Sequence, residues 1–251
     1  MFLIDEITPT RNFNLLYIIL DSLFIIIFLG LLLYKKRNLT FWFAIFGGIL
    51  YTIVDFGGFY LLSHTREVLI NGIKQDSLMT FLVLLWMSMS YGITNFAFIW
   101  VLISKDKLAK YWLFMIIMWW LICPSIASMG GDSNIQTIRT TSAYHGIMGI
   151  ILVVSYLILI FILLKKEKPF VNILYLCLIG VSVQFCWEFA LLINGIRPLN
   201  ANSIRTLIVN SCLETNLGMP LIYLIYHQVR KVFNENGEKV KPNPVGNEQF
   251  I

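Results

Sequence analysis

Four carboxylates lie inside the hydrophobic segments of this 251-residue chain: Asp21, Asp55, Glu188 and Glu214. A carboxyl kept dry can hold a proton and give it to a substrate, or it can balance a bound cation, or pass a proton to a neighbour. Placing one acid at the centre of a bilayer costs about 2.5–3.5 kcal/mol on insertion scales, so four of them imply a shared pocket. Other polar residues keep step with them. Gln184 lies one helical turn from Glu188 and Asn210 one turn from Glu214, each pair on a single face, and Ser88, Tyr91 and Asn95 share a face of their own. Pro220 removes a helical hydrogen bond and should release the carbonyl of Asn216 near Glu214. Trp86 and Trp187 bring rings whose faces stabilise a cation. Asp55, Glu214 and Glu188 are therefore the candidate catalytic residues, and Asp21, Gln184, Asn210, Asn216, Trp187, Tyr91, Asn95 and Trp86 the candidate substrate-binding set. For each isolated polar residue the plainer use is a packing hydrogen bond between spans.

The elements that must position these side chains are transmembrane helices. The chain is 58% hydrophobic and only 13% charged, with a mean hydropathy of +0.76, outside the balance of a soluble domain. Seven stretches are long enough to span, at residues 14–33, 40–62, 78–103, 110–129, 143–164, 170–195 and 205–227. The expected fold is all-α, a polytopic seven-helix protein in contact with the lipid bilayer, in a bacterial plasma membrane or the endoplasmic reticulum.

Basic residues set the expected orientation. One set of connections holds Lys35, Lys36, Arg37, Lys105, Lys107, Lys110, Lys165, Lys166, Lys168, Arg230, Lys231, Lys239 and Lys241, and the other only Arg11, Arg66, Lys74, Arg139, Arg197 and Arg205. Thirteen against six puts the amino terminus outside and the carboxyl terminus in the cytoplasm. The net charge of +5 belongs to these short clusters, so nucleic acid is not an expected partner. In this orientation all four acids lie about 10–14 Å below the outer boundary, at 1.5 Å per residue.

The expected organisation is an extracytoplasmic segment at 1–13, a helical domain at 14–229 and a disordered cytoplasmic tail at 230–251, where an apolar period is missing and Pro242 and Pro244 occur. The connection 63–77 predicts an interfacial turn of helix, built on Val68, Leu69, Ile70 and Ile73, over the pocket mouth. Gly57 and Gly58 should leave room for a substrate or a close helix, and Pro124 should break the fourth helix. Cys123, Cys177, Cys186 and Cys212 have no metal-ligand spacing, and His64, His145 and His227 sit at helix rims. Neither a metal nor a cofactor is expected.

Two segments resemble a known family. The second helix reads TFWFAIFGGILYTIVDFGGFYLLSHTR and the last NSCLETNLGMPLIYLIYHQVRK, which is similar to the small seven-helix integral-membrane terpene cyclases of fungal meroterpenoid and indole-diterpene pathways and their bacterial relatives. That family carries one acid late in its second helix and another in its last, matching Asp55 and Glu214. The sequence departs in having Asp for Glu and Glu for Asp, Val54 in place of a tryptophan, and an additional acid, Glu188, in QFCWEF. The resemblance implies that a buried acid protonates the epoxide or alkene of a lipophilic prenylated small molecule and that aromatic faces stabilise the cations that follow. Glu188 would be a third acid or the base. The competing readings are a proton-coupled transporter of small solutes, and a non-enzymatic seven-helix receptor or accessory protein. A retinal photoreceptor is disfavoured, since the last helix has no lysine before its end.

Overall fold

The computed structural model describes residues 10–130, 134–139, 145–165, 173–199 and 201–240. Seven of its helices are long and apolar enough to cross a membrane, which makes this a membrane protein in the sense the composition implies. They are α1 (Leu15–Tyr34), α2 (Asn38–Thr52, continued as a π-helix over Ile53–Leu62), α3 (Ser77–Ile103), α4 (Ala109–Ala127), α5 (His145–Lys165), α6 (Ile173–Ile193) and α7 (Ala201–Val232). Residues 1–9 and 241–251 of the expected terminal segments lie outside the described residues, as do the expected starts of the fifth and sixth helices.

α3 is the axis of the bundle. Of its best 18-residue window 78% is buried, against 11% for α5, so α3 is wrapped by other helices while α5 turns Ile150, Val153, Leu157 and Phe161 outward, as a lipid-facing helix does. Small residues bring α2 onto α3. A Cβ added to Gly92 would stand 2.6 Å from the Cα of Gly48 and 3.0 Å from the carbonyl oxygen of Gly47, so the two backbones touch there. Gly57 and Gly58 do not have this role: no other helix comes within 4 Å of their Cβ positions. Pro124 and Pro220 lie within α4 and α7, which continue past them to Ala127 and Val232.

The expectation of an all-helical chain fails at one end. Four strands, β1 (Thr10–Phe13), β2 (Arg66–Ile70), β3 (Ile73–Lys74) and β4 (Ile135–Arg139), form an antiparallel sheet in the order β1-β4-β2-β3. The connection 63–77 is thus a hairpin, not a turn of helix. Asn71 and Gly72 take φ of 51° and 79°, the conformation that an Asn-Gly pair favours in a two-residue hairpin. Alternation sorts the strands' side chains. Arg11, Phe13, Arg66, Val68, Ile135 and Thr137 are buried, while Asn12, Glu67, Gln136 and Ile138 are less so. Arg66 faces Arg139 and Thr10 faces Ile138 in the pairing register.

Asn14 joins this cap to two helices. Its side chain caps α1 by accepting from the Tyr17 N–H at 2.9 Å, and its Nδ2 donates to the carbonyls of Ala127 and Gly130, both at 2.7 Å. Asn14→Ala is expected to cost about 1–3 kcal/mol, from the lost cap and two carbonyls left without their donor. Asn14→Asp keeps the cap but sets a carboxylate oxygen against the two carbonyls, and should cost at least as much as Asn14→Ala. Thermal unfolding in detergent reads both.

At the opposite, lysine-rich end, residues 233–240 fold back in a turn that composition alone assigns to a disordered tail. Phe233 bridges to Lys239, the Leu39 N–H donates to the Glu235 carbonyl, and Asn38 Nδ2 donates to the Asn236 carbonyl at 2.6 Å. Burial raises the Glu235 carboxyl above the usual range even with Arg230 beside it.

Candidate functional site

The buried acids meet arginines that come from the sheet. In the first turn of the π-helix, Asp55 is 1% exposed, and its Oδ2 receives Arg66 Nη2 of β2 at 2.9 Å, Ser88 Oγ of α3 at 2.9 Å and the Tyr91 hydroxyl. The π-helix and hairpin together make this contact. Wide turns carry the chain from Asp55 through Ser63, whose N–H donates five residues back to Gly58, and straight into β2. β2's alternation then points Arg66 inward while Glu67 pairs with Lys74 outside.

Glu188 on α6 is fully buried and lies between two more arginines. Arg197 Nη2, from the loop after α6, is 2.8 Å from Oε2, and Arg11 Nη2 of β1 is 3.6 Å from Oε1. The Arg11 guanidinium also lies 5.9 Å above the Tyr91 ring and donates to Met87 Sδ at 3.7 Å, which links the Glu188 group to the Asp55 group. Gln184 continues the chain to α7. Its Nε2 donates to Glu214 Oε2 at 2.9 Å and lies 3.4 Å from Glu188 Oε1, while its Oε1 accepts from Thr215 Oγ1 at 2.8 Å. Asp55, Tyr91, Arg11, Glu188, Gln184 and Glu214 thus form one polar path across α2, α3, α6 and α7. Aromatic rings follow it: Tyr51 on Tyr91 at 4.9 Å, Tyr91 stacked on Trp187 at 5.9 Å, and Trp187 against Trp120 at 5.3 Å.

Asp21 is not on this path. It is reached by Trp119 Nε1 of α4 at 3.1 Å, with Ser90 and Trp86 of α3 beside it. α3 therefore separates two polar places, with Ser88 and Tyr91 turned to Asp55, and Trp86 and Ser90 turned to Asp21. Of the remaining expected binding residues, Asn95 lies against Tyr51, and Asn210 is buried one turn from Glu214. Asn216 serves packing. It accepts from Tyr156 at 3.3 Å and fills the space where Gly180 lets α6 approach α7.

Ion pairing changes what the acids can do. Asp55 and Glu188 are each held against guanidinium groups, a setting that suits a carboxylate accepting hydrogen bonds. Glu214 is only half-buried, and its Oε2 accepts a hydrogen bond from the Gln184 amide. Arg11, Arg66, Arg197, Tyr51 and Thr215 are site residues that the sequence reading passed over. The three arginines count there as loop charges. Their signal was the need of buried acids for a countercharge, and for Arg66 the Arg-Glu-Val-Leu-Ile-Asn-Gly string, an alternating strand ahead of a hairpin turn. No protein-family model, no curated protein and no solved structure matches the chain.

Proposed function

We propose that this chain is a membrane-embedded enzyme that starts the cyclisation of a polyprenyl substrate by proton transfer, with the sheet-capped end outside and the lysine-rich end cytoplasmic. One observation carries the reading: the rings of Tyr51, Tyr91, Trp187 and Trp120 run along the same buried path as Asp55, Glu188 and Glu214. A cation formed beside those faces is stabilised by them and kept from water by the surrounding spans. Glu214 is the acid of this reading, because a substrate can reach a half-buried carboxyl and cannot reach one that is fully enclosed. Its proton passes to the epoxide oxygen, the C–O bond opens as the neighbouring alkene attacks the carbon, and the proton lost from the last cation returns to a carboxylate of the path. Asp55 and Glu188 position the sheet and the rings.

Turnover of an epoxidised farnesyl- or geranylgeranyl-substituted arene, followed by mass spectrometry, tests this. Glu214→Gln is expected to lose about 10²–10⁴-fold in rate with its unfolding temperature kept. Unchanged turnover removes Glu214 from the chemistry and the proposal with it. A second reading, a seven-helix receptor for a small lipophilic molecule, is favoured by the ion pairing of Asp55 and Glu188, which suits holding a ligand better than moving protons. Saturable binding of the same compounds with no product formed would select it.

A further inference from the structure

At the lysine-rich end, α1 and α3 finish in the same way. Lys36 and Lys105 take φ of 56° and 50°, and the N–H of the next residue turns back five positions, Arg37 to the Leu32 carbonyl at 2.8 Å and Asp106 to the Val101 carbonyl at 3.0 Å. Glycine is the usual occupant of that left-handed position, and lysine stands there twice. The two loops are then tied side by side. Arg37 Nε lies 2.5 Å from Asp106 Oδ2, and Arg37 Nη2 donates to Oδ1 at 3.1 Å. Consecutive Cα atoms are about 3.8 Å apart, so this one ion pair gathers Lys35, Lys36, Lys105 and Lys107 around it, with Lys110 in the first turn of α4.

The acids described at this end are already taken. Asp106 serves Arg37 and the Leu108 N–H, Glu235 pairs with Arg230, and Glu238 accepts from Asn234. All five lysines are exposed, and among the described residues no ion pair reaches them. Helix C-termini suit Lys35, Lys36 and Lys105, but Lys107 and Lys110 lie at the start of α4, where the macrodipole repels a cation. The flank beside them is apolar. Lys35 Nζ lies 5.1 Å from the centroid of the Tyr34 ring and Lys110 Nζ 5.0 Å from that of Tyr111, and both rings are exposed together with Leu33 and Phe114. α1 and α4 are neighbours, with Phe28 against Trp112 at 6.1 Å. Lysines over exposed tyrosines at the ends of two adjacent spans stand where headgroups meet acyl chains.

We propose that the paired α1–α2 and α3–α4 loops form a docking site for an anionic phospholipid, with its phosphate among Lys36, Lys107 and Lys110 and its chains along Tyr34 and Tyr111. Each lysine near a membrane surface favours such a headgroup by about fivefold. A general bias of lysines to one side of a membrane needs neither the repeated left-handed turn nor the ion pair between the loops. A soluble phosphate compound meets the same charges but leaves the rings, Leu33 and Phe114 uncovered, so the lipid is the better occupant. The site uses none of Asp55, Glu188 or Glu214, so it stands or falls apart from the cyclase reading.

The full chain in a neutral detergent is titrated with phosphatidylglycerol and with phosphatidylcholine of the same chain length, and bound lipid is read by native mass spectrometry and by the unfolding temperature. The expected result is saturable binding of phosphatidylglycerol, with the choline lipid and chain-free glycerol phosphate each at least about tenfold weaker. Lys36→Gln, Lys107→Gln and Lys110→Gln together should weaken phosphatidylglycerol by on the order of thirtyfold or more. Lys165→Gln, Lys231→Gln and Lys239→Gln together remove as much charge from the ends of α5 and α7, and should leave that binding largely unchanged. Equal affinity for the two lipids overturns the proposal. So does equal loss in the two triple variants, which would mean a diffuse attraction to basic loops, and so does equal affinity for glycerol phosphate, which would mean a site for soluble phosphates. The comparison of the three probes uses the unaltered chain, so it decides the matter even if a variant fails to fold.

Discussion

Glu188→Ala is expected to destabilise the protein by about 3–5 kcal/mol, the range for removing one partner of a buried ion pair. The size follows from what is left behind. Arg197 is 2% exposed and Arg11 7% exposed, and both lose the carboxylate they face. Both side chains are too enclosed for bulk solvent to take its place. The loss should extend to the sheet, since Arg11 is on β1 and the Asn12 N–H donates to the Ile196 carbonyl beside Arg197. Proteolysis in detergent should therefore cut β1 and the loop after α6 faster than the helices. Replacing Arg11, Glu188 and Arg197 together with leucine should recover most of the stability, because an apolar set of similar volume avoids desolvating the charges in the first place. A single variant as stable as the parent would show that the pair does not hold the cap. Failure of the triple variant to recover would show that shape, not charge, is at stake.

Gly92→Val is the second large effect, expected at or above the upper end of the range of about 1–3 kcal/mol typical of an overpacked core. Its Cβ would meet backbone of Gly47 and Gly48, which cannot rotate aside as a side chain can, so α2 must move off α3. Asp55 is carried at the end of α2 and Ser88 and Tyr91 on α3, and moving the helices apart loosens the contacts at Asp55 Oδ2 as well. Gly180→Ala is a milder case, because the atoms met belong to the side chains of Asn216 and Met219 and not to backbone. Gly30→Ala is the control: nothing lies within 4 Å of its Cβ position, and it should leave stability unchanged or raise it by up to about 1 kcal/mol through helix propensity. Unfolding temperatures should therefore rise in the order Gly92→Val, Gly180→Ala, Gly30→Ala, and any other order would contradict the close approach of α2 and α3.

The spans were legible because apolar runs of this length have one use. Expected and observed helices agree closely, for example 78–103 against Ser77–Ile103. Local pairs on one helix were legible too. Gln184 does reach Glu188, and it also bridges to Glu214. Hairpin β2–β3 was legible in principle through Asn71-Gly72, but apolar Val68, Leu69 and Ile70 read equally as an interfacial helix when only their hydrophobicity is weighed. The pairing of β1 with β4 joins residues more than a hundred positions apart, which no local period encodes.

Hydrophobic length and the acids' positions along each helix were determined by the sequence alone, since both depend on residue type and a fixed rise per residue. Which acids keep company was decided by the tertiary structure. Rotation of α3 turns Ser88 and Tyr91 toward Asp55, and Trp86 and Ser90 toward Asp21, and only the strand register brings Arg11 and Arg66 down onto the helices. A charge in a loop and a charge in a core look the same in a sequence. The fold separates them, because burying an arginine is favourable only where a carboxylate from another element is already waiting.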